Sequence, residues 1–265
     1  MTDVLVAIPA HDEADTIAGC LRSVIDSLRT AARVGAIRRA RVAVAAHRCS
    51  DDTARIAAAE LTSARVDHRL RVVDRPSSVG VVRTELIVDA LTAGRGLIPR
   101  RTWIFSTDAD TVVPPNWVDH TLAIAAESGA ELVAGLADLS GWSASSDAQA
   151  RYAELLASGF SPDGRHSHVY AANLAVAAER FLEVGGFPDR PHGEEHGLLE
   201  AVRRSGGTVV QTTASRVRTS SRMPGRAEHG LGALLGRLAA GDTPGQVGAA
   251  IRGLDPMSPA SSSGL

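Results

Sequence analysis

Lysine is absent from this chain of 265 residues: its 28 basic residues are all arginine. Schiff-base chemistry is therefore excluded, and so is the phosphate-binding lysine of a P-loop. Cysteine is scarce. Cys20 and Cys49 make neither a disulfide framework nor a zinc cluster, and a reducing, cytoplasmic compartment is the simplest expectation. No apolar run approaches the roughly 18 residues of a membrane span, and the opening "MTDVLVAIPAHDEAD" lacks the basic start of a signal peptide. Peripheral attachment through arginines stays open. Excess charge is missing too. A formal net charge of −2 gives no global field for nucleic acid.

What is present is an ordinary globular composition, 44% hydrophobic and 22% charged, long enough for one large domain. Short β-branched runs alternate with helical spacing. "DVLVAI" (3–8), "ARVAVAA" (40–46), "LRVVD" (70–74) and "TWIFSTD" (102–108) read as strands. Between them lie helices at 13–32, with Ile17, Leu21, Val24, Ile25 and Leu28 on one stripe, at 50–61 with Ser50 as N-cap, and at 80–93. This order predicts an α/β fold, a mostly parallel twisted sheet flanked by helices, with ligands beyond the carboxyl ends of the strands. The second half is less regular: strands at 131–139, 169–177 and 208–219, helices at 144–158, 194–205 and 226–240, and a short helix ending at Gly185-Gly186. The expected layout is a single domain over 1–240, with a nucleotide-binding half (1–110) and an acceptor half (111–240). A flexible tail follows at 241–265, rich in Gly, Pro and Ser.

"WIFSTDADTVVPPNW" (103–117) ends an apolar strand on Asp108 and Asp110. Residues i and i+2 of an extended segment point to one side, so both carboxylates would aim at one point above the sheet. Two close carboxylates ask for a cation between them or a shared proton. Oxygen ligands of this kind suit Mg²⁺ or Mn²⁺ completed by substrate phosphates.

"DADTVVPPNWV" resembles the D-x-D segment of glycosyltransferase family 2, which has the Rossmann-like GT-A fold. "VAIPAHDEADTI" (6–17) is similar to the family's opening strand and loop. The resemblance implies that Pro9, Ala10 and Glu13 hold the nucleoside, with Asp12 where the family has Asn. "VAVAAHRCSDDTARIA" (42–57) matches a segment whose acid contacts the base; here that position is Ala46 or His47, and His47 or Arg48 would substitute. "SSVGVVRTELI" (77–87) matches the family's G-x-x-x-A-R-N loosely, placing Gly80 and Arg83 at the diphosphate of the donor. In "NLAVAAERFLEVGGFPDRPHGEEHGLLEAVRRSGG" (173–207), Asn173, Phe181, Gly185, Gly186, Phe187, Leu198 and Gly206 fall into register. The family's E-D pair becomes Glu194-Glu195, so the resemblance gives Glu195 the role of general base.

A third metal ligand in some members, often histidine, points to His229, with His196 behind it. Arg218, Arg222 and Arg226 would meet phosphates or form a solvated face; Trp142, His168 and Tyr170 could face a sugar or serve packing. The implied function is metal-dependent, inverting transfer from a nucleotide-diphosphate sugar, a UDP-sugar foremost, to an acceptor hydroxyl. A nucleotidyltransferase of related fold and a non-catalytic nucleotide-sugar-binding protein are the alternatives.

Overall fold

The computed structural model describes residues 2–94, 96–161, 166–222, 231–243 and 245–246. Backbone contacts divide the chain into two units, one of residues 1–140 with 164–220, the other of 141–163 with 221–265.

In chain order the first unit runs β1 (Thr2–Ala10), α1 (Ile17–Arg33), β2 (Ile37–His47), α2 (Thr53–Ala64), β3 (His68–Val73), α3 (Val79–Thr92), β4 (Thr102–Ser106), β5 (Thr111–Val112), α4 (Trp117–Ser128) and β6 (Leu132–Ser140). The second unit contributes α5 (Ser146–Ser158). The first then resumes with β7 (Leu174–Ala177), α6 (Ala178–Glu183), α7 (Glu194–Arg204) and β8 (Val209–Ser220), and α8 (Leu231–Ala239) belongs to the second. The tail expected from 241 lies outside the described residues except for 241–243 and 245–246.

Among the described residues the sheet has eight strands, in the order β3-β2-β1-β4-β7-β6-β8-β5. β1 pairs in parallel with β2 and with β4, and β2 in parallel with β3. β7 runs antiparallel to β4 and β6, while β6 and β8 are parallel. The chain leaves β1 toward β2 on one side and returns to β4 on the other. The crevice of a parallel sheet opens at such a reversal.

β1 explains why its run is continuously apolar. Val4, Val6 and Ile8 enter one core layer, with the α1 stripe Ile17, Leu21, Val24, Ile25 and Leu28. Leu5 and Ala7 enter the other, with Val82, Leu86 and Ile87 of α3. Both faces are covered, so alternation of polar and apolar residues would bury a polar side chain every second position.

Three local expectations are corrected. Ser50 does not cap α2: its hydroxyl and N–H donate to Asp12, and the N–H of Thr53 is taken by Asp51 at 2.9 Å. The strand expected over 169–177 begins at Leu174, after a 3₁₀ turn at Ala171–Asn173. That turn lets the Asn173 amide reach inward, donating to the carbonyls of Leu136 (2.9 Å) and Ser215 (3.1 Å) and accepting from Trp117 Nε1 (2.8 Å). The β6–β8 register shifts between Ala134 and Leu136. Gly135 makes that irregularity possible, because a Cβ there would stand 2.2 Å from the Asn173 amide nitrogen. Third, the strand expected to run to Asp108 stops at Ser106. Asp108 and Asp110 lie in a turn closed by the Thr111 N–H on the Asp108 carbonyl at 3.1 Å. Their side chains therefore follow no strand parity.

Candidate functional site

The carboxyl ends of β1 and β2 lie side by side, Ala10 opposite Ala46. Their loops are tied by polar side chains. Glu13 is buried; its N–H donates to Thr53 Oγ1 and its carboxylate accepts from Thr16 Oγ1, both at 2.7 Å. Asp12 sits at φ 52° and Arg48 at φ 51°, left-handed values that favour glycine. The backbone N–H of Ser50 holds the Asp12 carboxyl below the usual range. Ala14 N–H donates to Asp51 at 3.0 Å. Pro9 is half-buried, and Ala10 and Ala46 are buried. His47 is half-buried at the end of β2. Its Nε2 lies 3.0 Å from the Arg75 carbonyl, and His11 Nδ1 lies 2.8 Å from the His47 carbonyl. A carbonyl only accepts, so Nε2 is the donor of the His47 ring and Nδ1 the donor of the His11 ring in these bonds.

At the end of β4 the chemistry changes. Arg83, on α3, is 2% exposed. Its Nη2 donates to Asp108 Oδ1 at 3.0 Å and lies 4.0 Å from Glu194 Oε1. Nη1 donates to the Ser106 hydroxyl and, at 3.4 Å, to the Ala171 carbonyl. The guanidinium carbon lies 5.3 Å from the centre of the Phe187 ring, within cation–π range. Gly80 belongs to this side too. A Cβ there would stand 2.5 Å from the Pro188 carbonyl and 3.1 Å from Glu194 Cβ, so glycine lets the first turn of α3 rest against the start of α7.

Two acids open α7. The Glu194 side chain is 6% exposed, and burial, then the charge of Glu195, pushes its carboxyl up to about 7 against an opposing pull from Arg83. The Glu195 side chain is 20% exposed. Burial opposes its charge, but the neighbouring His196 side chain and hydrogen bonds from its own backbone outweigh that and hold the carboxyl below the usual glutamate value. His196 Nδ1 lies 3.8 Å from Glu195 Oε1.

Asp108 keeps 38% of its side chain exposed. Asp110 turns toward β8: Thr219 Oγ1 donates to its carboxylate at 3.2 Å, and Ser220 N–H donates to its carbonyl. Cys20 lies beneath, its thiol on the Asp108 carbonyl at 3.3 Å; burial, then the charges of Asp110 and Asp108, push that thiol far up and keep it protonated. Among the described residues, Asp108 and Asp110 do not join a third His, Cys, Asp or Glu in a group whose donor atoms lie within 4.8 Å; the group that does is Asp12, Cys49 and Asp51. Asp12 and Asp51 there accept loop N–H and hydroxyl donors. His229 and Arg226 lie outside the described residues.

On the remaining elements, His168 and Tyr170 stack with ring centres 6.0 Å apart, and Arg218 is exposed on β8 opposite Val112. In the second unit Trp142 meets Tyr152 edge to face at 5.5 Å, and Arg222 is half-buried. Sequence reasoning missed Ser106, Thr219 and the burial of Glu194. Thr219 was accessible from parity, since Ser215, Val217 and Thr219 are the buried alternate positions of β8.

The glycosyl transferase family 2 model matches residues 5–170. The chain belongs to that family. The family match takes in both β-end loops, Arg83 and the D-x-D turn, and ends before Asn173 and the α7 acids. A search of curated proteins finds no match. Solved structures share the fold. The S. aureus TarS fragment 1–349 with UDP-GlcNAc has TM-score 0.58 at 10% identity, over 85% of this chain and 60% of that one. Mannosyltransferase PcManGT from Pyrobaculum calidifontis, with GDP-Man and Mn²⁺, has TM-score 0.62 at 15% identity, over 97% and 65%. Glucosyl-3-phosphoglycerate synthase from Mycobacterium tuberculosis, with Mn²⁺, UDP and phosphoglyceric acid, has TM-score 0.53 at 20% identity, over 98% and 80%. This chain thus spans 60% of the TarS fragment. Among the described residues no helix is long and apolar enough to cross a membrane.

Proposed function

We propose that this family 2 chain transfers a sugar from a nucleotide-diphosphate donor, a UDP-sugar, to an acceptor hydroxyl with inversion at the anomeric carbon. The observation that carries the reading is the charge arrangement at the end of β4. Asp108, half-exposed in the crevice, stands beside a buried arginine and the paired acids of α7. Of the three relatives described above, one is in complex with UDP-GlcNAc and one with UDP, which supports the choice of nucleotide.

Asp108 and Asp110 supply oxygen donors of the kind Mg²⁺ and Mn²⁺ take, and two relatives carry Mn²⁺. Such an ion, when held there, would neutralise charge on the leaving diphosphate. His229 is the proposed further ligand. Pro9, Ala10, Glu13 and His47 would frame the nucleoside at the ends of β1 and β2, while Gly80, expected at the diphosphate, instead serves the contact of α3 with the start of α7. Glu195 is the base. Its depressed carboxyl is ionised at neutral pH and its side chain is reachable, whereas Glu194 is buried and near half-protonated. In an inverting displacement the acceptor oxygen attacks from the face opposite the leaving diphosphate as Glu195 takes its proton.

The test is release of UDP from a panel of UDP-sugars with Mn²⁺ and candidate hydroxyl acceptors, followed by the anomeric configuration of the product. Product of inverted configuration is expected. Pyrophosphate release from a nucleoside triphosphate and a sugar phosphate, with no transfer, would replace the proposal with nucleotidyl transfer.

A further inference from the structure

Among the described residues, two arginines are buried in the fold, Arg41 at 4% exposure and Arg83 at 2%. They are satisfied in different ways. Arg41 has a partner for each nitrogen: Nε and Nη2 on Asp67 at 3.1 and 2.9 Å, and Nη1 on the carbonyls of Ala90 and Ala93. Such an arginine fastens β2 to the segments around it. Arg83 leaves its Nε buried without a partner. Its two terminal nitrogens instead reach four separate places: Ser106, Asp108, the Ala171 turn and Glu194. A buried donor left unmet costs about 1–3 kcal/mol. An arginine retained for stability alone would recover that cost, as Arg41 does.

We propose that Arg83 is a positioning residue, a built-in cation that holds the donor-side acid Asp108 and the acid pair at the start of α7 as one charge-balanced unit. This rests on the donor reading of Asp108. Without a positive charge between them, Asp108 and Glu194 would repel each other and Asp108 would swing toward solvent. With Arg83 present, one Asp108 oxygen is fixed inward. Phe187 behind the guanidinium and Gly80 at the α3–α7 contact set its depth. The charged groups facing Glu194 are Arg83 from α3, Asp108 from the turn after β4 and Glu195 beside it. A change at Arg83 is therefore felt on both sides of the crevice.

The experiment compares Arg83→Met, Arg83→Lys and the buried control Arg41→Met in the full chain. The first readout is carboxyl NMR titration of Glu194 without ligand; the second is binding of UDP with Mn²⁺. Removing a neighbouring cation disfavours the carboxylate, so Arg83→Met should raise the Glu194 midpoint by about one pH unit or more. It should also weaken UDP binding at least ~10-fold, a loss of ~1.4 kcal/mol. Arg83→Lys should recover part of both. Arg41→Met should lose comparable thermal stability and shift neither. An unmoved Glu194 midpoint in Arg83→Met, or equal shifts in Arg41→Met, would overturn the proposal. If the wild-type chain binds no nucleotide, the donor reading fails and the carboxyl titration alone decides the role of Arg83. Should Arg83→Met fail to fold, Arg83→Lys and Ser106→Ala, which removes one anchor, carry the same readouts.

Discussion

Acidic side chains cluster at two places along the carboxyl edge of the sheet, and they are held by opposite means. At the ends of β1 and β2, Asp12 and Asp51 accept from neutral donors: the N–H groups of Ser50, Thr53 and Ala14, and nearby hydroxyls. At the end of β4 and the start of α7, Asp108 and Glu194 face one shared guanidinium, and Glu195 adds like charge. The first arrangement is locally saturated and fixes loop shape. The second leaves charge to be balanced, pushes one carboxyl up to about 7 and holds its neighbour down. Carboxyls pulled apart in this way are what acid–base chemistry needs, and loop capping does not produce them.

That contrast can be broken by substitution. The largest effect belongs to the second cluster: Glu195→Gln should lower kcat roughly 10²–10⁴-fold while donor affinity survives. Steady-state kinetics beside a nucleotide titration check this, and unchanged turnover removes Glu195 from the mechanism. Next comes the buried Asn173 amide at the β6–β8 irregularity. Asn173→Ala would strip partners from Trp117 Nε1 and from the Leu136 and Ser215 carbonyls. Urea unfolding should show a loss of about 3 kcal/mol, as expected for several buried groups left unmet.

Glu194 sharpens the comparison through pH. Its folded value of about 7 exceeds the 4.5 of an unperturbed glutamate. The folded state therefore holds the extra proton between those values, and stability falls as pH rises through that window. Glu194→Gln should flatten this slope and stabilise the protein by ~1–3 kcal/mol above pH ~7. A slope identical to wild type would contradict the buried assignment. The first cluster should respond less. Asp51→Ala removes the cap on Thr53 and should cost about 1 kcal/mol, with no new pH dependence near neutrality.

The fold was legible where its signals are local. The apolar run of β1 and the α1 stripe identified a helix-covered parallel sheet because both patterns report burial directly. Signals that depend on distant partners were not. Asp108 and Asp110 read as an extended i, i+2 pair, but the Thr111 N–H closes a turn there, and Thr219, far along the chain, draws Asp110 aside. Ser50 has the composition of an N-cap, yet Asp12 from another loop takes its hydroxyl. Arg83 reads, by resemblance, as a helix cation at the donor diphosphate. Only the meeting of α3, β4 and α7 makes it a buried one. Helical spacing placed Glu194 and Glu195 at a helix start but could not tell which of them faces inward.

The central claim is that Asp108 and Asp110 form the donor end of a nucleotide-diphosphate site. It is tested most directly by thermal shift with UDP, GDP, ADP and TDP, each with and without Mn²⁺, on the wild-type chain and on Asp110→Asn. A ligand at a hundredfold excess over its Kd adds roughly 2.7 kcal/mol to the native state. The account predicts a Mn²⁺-dependent shift for UDP that Asp110→Asn abolishes. A UDP shift that survives in Asp110→Asn, or no shift with any of the four nucleotides, would contradict it.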